Sequence, residues 1–363
     1  MKILMVAQTF LPIPSPEDQI FAPGIVFNNI ACGMKERGHE VTVYAAEDSF
    51  SEKFETNGFG INSNHFEKDN YPVEALSKRG IQHQLYLISE AFEEYKKNKY
   101  DLLYLDSFPI SEYFSNFVDG PIVCLHHGVP AKNSDLQLDV DRLRQKRYFN
   151  RVNFIAISEN QRRMGKDYFN YKAVIHHGLN LDNFIFNENP QNDLLSLGRI
   201  NPKKGTDVAI NSAILANRKI DVWGDHSNDD FWLEKIKPKI DNQNVQYHGH
   251  CDFNKVGDVY RQARALLMPI SWEEPFGLVV IEAMACGTPV IAYEKGSMAE
   301  LIVDGITGYL IEPGDEKGIV EAISKIDQID RKKCREHVEK NFSIEDMINK
   351  YEKTFEKIIK NEL

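Results

Sequence analysis

Cysteine is scarce in this 363-residue chain, and Cys32, Cys124, Cys251, Cys286 and Cys334 are widely scattered with no C-x-x-C pair. An odd, dispersed set supports neither a disulfide framework nor a zinc site. A surplus of positive charge is also missing: 43 Lys and Arg stand against 54 Asp and Glu, for a net charge of -11. Phosphate backbones recruit proteins through excess basic charge, so nucleic acid is not expected as a partner. The best apolar stretch, Phe276 to Tyr293, has Glu282 in its middle and Gly287-Thr288-Pro289 beyond, which makes a poor membrane span. In the N-terminal MKILMVAQTF, Gln8 interrupts the run before a signal sequence could form. A soluble, cytoplasmic chain is expected. Two phosphate-binding patterns are absent as well. There is no Walker A loop, and Gly58-Phe59-Gly60 runs into Ile61-Asn62-Ser63, so no G-x-G-x-x-G follows the first apolar run.

What is present is a repeating alternation. Short apolar runs (Ile3 to Ala7, Val41 to Ala45, Leu102 to Leu105, Ile122 to Leu125, Phe154 to Ile157) are separated by helical patterns such as Phe27, Ile30, Ala31 and Met34. Runs without polar alternation suit strands covered on both faces, and strand-helix alternation builds a parallel sheet. The pattern restarts after the polar stretch Phe186 to Asp193, with Leu194 to Leu197, a helix from about Thr206, Ile220 to Trp223, Val245 to Tyr247, Ala265 to Met268 and Val290 to Ala292. At about 150 residues per domain the length allows two. The expected class is α/β: two Rossmann-like, doubly wound domains, 1–188 and 189–345, facing a central cleft. A C-terminal amphipathic helix, 346–363, is expected to pack back on the first. Open parallel sheets take ligands at the carboxyl ends of their strands.

Two segments carry chemistry at such ends. In Ser196-Leu197-Gly198-Arg199-Ile200-Asn201-Pro202-Lys203-Lys204-Gly205-Thr206, a strand runs into a basic turn and then a helix start, a suitable arrangement for phosphate. The plainer alternative is a solvated loop with three surface charges. In Trp272-Glu273-Glu274-Pro275-Phe276-Gly277-Leu278, followed by Val279 to Gly287, Glu274 precedes a helix and Glu282 lies about two turns inside it. Carboxylates accept paired hydrogen bonds from vicinal hydroxyls, so sugar or ribose is the natural ligand. Alternatively, Glu274 only complements the helix dipole and Glu282 is a surface charge. Glu282 has Val279, Val280, Ile281, Ala283 and Met284 around it, an apolar setting in which a carboxylate needs a partner. Gly296-Ser297 is read as another helix tip. His126-His127 ends the Ile122 strand, and His176-His177 reads as a structural turn.

GRINPKKG, MPISWEEPFGLVVIEAMACGTPVIA and GSMAELIVDGITGYLIEP closely resemble family-4 retaining glycosyltransferases of the GT-B fold, with Glu274 and Glu282 matching the E-x7-E motif. RGHEVTVYA, FIAISENQ, HHGLNLDNF and VQYHGHCD match in the same order. The resemblance implies a hexosyl transfer from a nucleotide-diphosphate sugar, UDP-sugar favoured, with retention and without a metal or other cofactor. It implies that Arg199 and Lys204 neutralise the diphosphate and that Glu274 holds the transferred sugar. Backbone N–H groups of Phe276, Gly277 and Leu278 would contact sugar and diphosphate, and Glu282 the ribose. His126 falls at the family's donor-sugar histidine, with His127 as the adjacent fallback. Many relatives open the first long helix with Gly-Gly, where Phe21-Ala22-Pro23-Gly24-Ile25 keeps Gly24 alone as a donor contact.

The acceptor stays open between a sugar, a lipid-linked molecule and a small molecule. A nucleotide-sugar epimerase and a non-catalytic nucleotide-sugar binding protein are the competing readings. Arg142, Arg144, Lys146, Arg147 and Arg151, with Arg162, Arg163 and Lys166 behind, leave open a peripheral contact with the inner membrane face or a phosphorylated acceptor. The polar stretch Ser49 to Tyr71 reads as a flap.

Overall fold

The computed structural model describes residues 1–16, 21–106, 109–129, 139–226 and 229–363. The chain forms two compact units, Met1–His176 with Glu345–Leu363, and His177–Ile344.

In the first unit, β1 (Lys2–Val6), β2 (Glu40–Tyr44), β3 (Thr56–Asn57), β4 (Leu102–Asp106), β5 (Ile122–Leu125), β6 (Asn153–Ala156) and β7 (Tyr171–Val174) form a sheet of order β3-β2-β1-β4-β5-β6-β7. Every pairing is parallel. Its helices are α1 (Ala22–Glu36), α2 (Val73–Lys97), α3 (Asp139–Tyr148) and α4 (Glu159–Gly165). Phe27, Ile30, Ala31 and Met34 are the buried stripe of α1, as their spacing requires. Ser49 to Tyr71 is tied down rather than a free flap. It supplies edge strand β3, the N–H groups of Gly58 and Gly60 donate to Glu47 Oε2, and Ser63 Oγ donates to Asp48.

The second unit has β8 (Leu194–Leu197), β9 (Ile220–Trp223), β10 (Val245–Tyr247), β11 (Ala265–Met268), β12 (Val290–Tyr293) and β13 (Gly308–Ile311), again all parallel, in the order β10-β9-β8-β11-β12-β13. The helices are α5 (Thr206–Leu215), α6 (Asp229–Phe231), α7 (Phe253–Gln262), α8 (Leu278–Ala285), α9 (Met298–Leu301), α10 (Glu316–Lys325) and α11 (Arg331–Asn341). Then α12 (Ile344–Ile359) lies on the first unit. A Cβ on Gly33 would sit 2.7 Å from Ile348, Arg37 donates to Asn349 at 2.8 Å, and the Phe355 ring packs on Tyr104.

The division falls at His176/His177 rather than at 188/189. Phe186 to Asp193 looks like a linker in composition, yet it is hydrogen-bonded into the second unit. Asn187 N–H donates to Cys286 O, its side chain to Arg261 O, and Asp193 accepts from Arg218. Each sheet reverses its winding at one place, β1/β4 in the first unit and β8/β11 in the second. Loops diverge there, which is where open α/β sheets leave room for a ligand.

Candidate functional site

Both segments picked from the sequence of the second unit leave the β8/β11 switch point. After β8, Gly198 (φ +141°) turns the chain, and Asn201 Oδ1 accepts from the N–H groups of Lys203 and Lys204 at 3.0 and 3.2 Å. Gly205 precedes α5 with φ +71°, and a Cβ there would lie 2.0 Å from Pro269 O. The basic loop is therefore packed backbone to backbone on the loop that follows β11. Ser271 reinforces this, its N–H donating to Lys203 O at 2.9 Å and its hydroxyl to Pro202 O at 3.2 Å.

That contact brings Lys204 and Glu274 together. Lys204 Nζ donates to Glu274 Oε2 at 2.6 Å, and the indole N–H of Trp272 donates to the same oxygen at 3.1 Å. The Lys204 ammonium also lies 5.3 Å from the Trp272 ring centre, within reach of its π face. Glu274 is largely buried and its Oε1 has no partner among the described residues. Arg199 is exposed and has no carboxylate partner among the described residues.

Behind Glu274, the segment read as a helix tip acts as a buttress. Ser297 N–H donates to Glu274 O at 3.1 Å, Ser297 Oγ to Phe276 O, and Gly296 N–H to Glu273 Oε2 at 3.2 Å. Gly296 is left-handed (φ +63°), and a Cβ there would meet Glu274 N at 2.4 Å. Phe276 is buried against His177, with ring centres 4.8 Å apart. Gly277 (φ +97°) caps α8 without a side-chain bond, and the N–H groups of Gly277 and Leu278 find no acceptor among the described residues. They lie at the positive end of the helix dipole, an arrangement that suits an anion.

Glu282 has the partner its apolar surroundings demanded: the hydroxyl of Tyr260, from α7, donates to its Oε2 at 2.9 Å. Burial pushes its carboxyl up to about 7, with the Tyr260 hydrogen bond opposing. Its Oε1 has no partner among the described residues, as in Glu274. Each glutamate thus has one oxygen held by the protein and one open.

The remaining candidates lie in the first unit. His126 and His127 follow β5 and turn to opposite faces, as consecutive residues at a strand end do. His126 faces inward: Nδ1 meets the Tyr171 hydroxyl at 2.6 Å and the ring packs 4.5 Å from Phe169. Burial, with His127 and Arg144 adding to it, pushes His126 down to about 3. The ring is neutral, with its Nδ1 taken by the Tyr171 hydroxyl. His127 takes the other face, its Nε2 2.6 Å from Oδ1 of the buried Asp106 at the end of β4. Gln161 pins the turn by donating to His126 O and Gly128 O. Pro130, beyond that turn, lies outside the described residues. Gly24 is buried in the first turn of α1, where a Cβ would meet the Phe21 ring at 2.9 Å and Ser15 Oγ at 3.2 Å.

Trp272 and Tyr260 were not singled out from the sequence. Trp272 stands inside the SWEEPFG segment and could have been flagged there. Tyr260 is distant in the chain and gave no signal.

The glycosyl transferases group 1 family model matches residues 181–341, and the glycosyltransferase family 4 model matches residues 24–183. The chain belongs to the group 1 and family 4 glycosyltransferases. A Klebsiella pneumoniae relative, described as an uncharacterized 41.2 kDa protein in the cps region, is 35% identical over 166 residues, 44% of each chain. The match thus spans less than half the length of that curated relative. Among solved structures, sucrose-phosphate synthase from Thermosynechococcus elongatus superposes with a TM-score of 0.76 at 18% identity, over 99% of this glycosyltransferase and 100% of that chain. Anabaena Alr3699/HepE in complex with UDP and glucose gives 0.70 at 16%, over 98% and 99%. At such identities the likeness is one of fold, and that fold is GT-B. No helix among the described residues is long and apolar enough to cross a membrane.

Proposed function

We propose that this glycosyltransferase moves a hexosyl group from a nucleotide-diphosphate sugar, UDP-sugar favoured, to an acceptor hydroxyl with retention and without added metal. One observation carries the reading: the elements that leave a single switch point carry Lys204, Arg199, N–H groups of Gly277 and Leu278 without an acceptor among the described residues, and two glutamates that each keep one oxygen open among them. Breaking the anomeric bond puts negative charge on the departing diphosphate, and fixed donors aimed at that charge supply the main stabilisation. In this reading Glu274 orients the sugar and Glu282 the ribose. Neither is assigned as a nucleophile, which distinguishes the site from a glycosidase pair. His126 is read as the donor-sugar histidine, with His127, held by Asp106, as the adjacent fallback. UDP is favoured because Alr3699/HepE was solved with UDP and glucose.

All three tryptophans, Trp223, Trp232 and Trp272, lie in the second unit. A diphosphate that draws Lys204 off Glu274 changes the surroundings of Trp272. Titration with UDP is expected to change tryptophan fluorescence saturably and to raise the melting temperature, more than GDP or ADP does, with turnover unaffected by a chelator. No response to any nucleotide removes the proposal. Donor binding without turnover against sugar, lipid-linked and small-molecule acceptors favours a binding protein, and an altered sugar with donor alone favours an epimerase.

Peripheral contact with an anionic membrane rests on few side chains. Arg144 pairs with Glu112, Arg162 with Glu159, Arg163 donates to Asn160, and Arg151 donates to Ser115 O and Val118 O. The Arg142 side chain lies outside the described residues. Lys146, Arg147 and Lys166 remain exposed, as do Leu143 and Phe117 at 68% and 66%. Sedimentation with phosphatidylglycerol vesicles is expected at low salt and lost at high salt. Equal sedimentation with phosphatidylcholine alone counts against it.

A further inference from the structure

We propose that Tyr260 is a positioning residue for the donor: its buried hydroxyl holds one oxygen of Glu282, keeping the carboxylate a pure acceptor with its second oxygen turned to the nucleotide ribose. This deepens, and rests on, the reading of Glu282 above.

Tyr260 is fully buried, and its hydroxyl has one partner among the described residues, Glu282 Oε2 at 2.9 Å. The backbone that carries the ring is fixed, because the end of α7 is anchored from two other elements. Thr288 Oγ1 donates to Tyr260 O at 2.7 Å, and Arg331 donates to Ala263 O at 3.0 Å and to Thr288 Oγ1 at 2.9 Å. Burial raises the Tyr260 phenol well above its ordinary range, so it stays a donor at every working pH. A donor fixed in this way favours the ionised carboxylate and opposes the desolvation that favours the neutral acid.

The other groups around Glu282 do not take this role. The Cys251 and Cys286 thiols are pushed up by burial to about 11 and about 12 and are neutral. The guanidiniums of Arg261, Arg331 and Arg335 act on Cys286, and none of them bonds Glu282. Tyr260 is therefore the group that directs this carboxylate and opposes the effect of burial on its ionisation. A ribose diol donates to a carboxylate through charge-assisted bonds and less strongly to a neutral acid.

The test measures dissociation constants of UDP, with GDP and ADP in parallel, from pH 5.5 to 9, for the wild type, Tyr260→Phe and Glu282→Gln. The three nucleotides share the ribose diphosphate. In the wild type, affinity is expected to fall as the pH drops through 7. In Tyr260→Phe the same fall moves to higher pH, leaving binding about five- to tenfold weaker at pH 7.5 and within about twofold at pH 9. Tyr260→fluorotyrosine, a stronger donor in the same shape, moves the fall to lower pH and covers the case in which the phenylalanine variant folds poorly. A profile that tracks the wild type, or a loss equal at every pH, overturns the inference. If Glu282→Gln binds as tightly as the wild type throughout, the reading of Glu282 fails and the inference with it. Weakened Glu282→Gln with an unmoved Tyr260→Phe profile sinks the inference alone, and no saturable binding by any of the three nucleotides overturns both.

Discussion

Lys204→Ala is expected to lower donor-dependent sugar transfer by roughly 10²- to 10³-fold, the usual cost of losing one fixed donor to developing charge. The ammonium does two things at once. It is a cation at the β8/β11 switch point, and it holds Glu274 Oε2 at 2.6 Å. Its loss leaves Glu274 with only the Trp272 indole on that oxygen, so the sugar-orienting carboxylate is misplaced as well as the diphosphate charge unmet. Lys204→Ala and Glu274→Gln should consequently be far from additive, the double variant being little worse than either single one. The Lys204 side chain is half-buried on a loop and α5 begins after Gly205, so thermal unfolding should change little. Wild-type turnover by Lys204→Ala, or strictly additive losses, would remove Lys204 from the machinery.

Glu282→Gln should move stability and nucleotide binding in opposite directions. Burial raises the Glu282 carboxyl to about 7 from an ordinary 4.5. A carboxyl raised in this way contributes most to stability below pH 4.5 and loses that contribution as the pH climbs through 7. At pH 8 the wild type carries an ionised, half-buried carboxylate with one hydrogen-bond donor. Glutamine keeps the shape, accepts from Tyr260 and does not ionise. The variant is therefore expected to gain on the order of 2 kcal/mol at pH 8 and close to nothing at pH 5. Nucleotide binding should weaken about tenfold at pH 8, because the ribose loses its charged acceptor. Denaturant unfolding at the two pH values with a UDP titration checks both halves. A stability difference independent of pH would mean that the carboxylate is not held in the raised state. A charge that costs stability and sharpens binding is the pattern expected of a functional group.

Much of the donor half was legible because it is local. Arg199 and Lys204 fall within one turn, Glu274 to Leu278 within one helix start, and their spacing along the chain already fixes what a strand end and a helix tip can present. The bond between Lys204 and Glu274 was not legible. It depends on β8 and β11 being neighbours, which sequence order conceals, and on Gly205 letting two backbones meet. His126 and His127 show the same limit on a smaller scale. The motif places both at a strand end, but which one faces the aromatic cluster of Phe169 and Tyr171 is decided by the pleat and by β6 and β7 beside it.

Edge strands were the elements missed. β3, β7 and β13 have partly exposed residues where β4, β5, β8, β11 and β12 are buried throughout, so their apolar signal is weak. The sequence by itself determined the two parallel-sheet units, the strand-end positions of the charged residues and the carboxylate that required a partner, because burial leaves its periodicity along the chain. Only the tertiary structure decided that the partner is Tyr260, that Gly296 and Ser297 support Glu274, and that Phe186 to Asp193 belongs to the second unit. Those pairings join residues remote in sequence, and a contact closed through space leaves no pattern in the segments that make it.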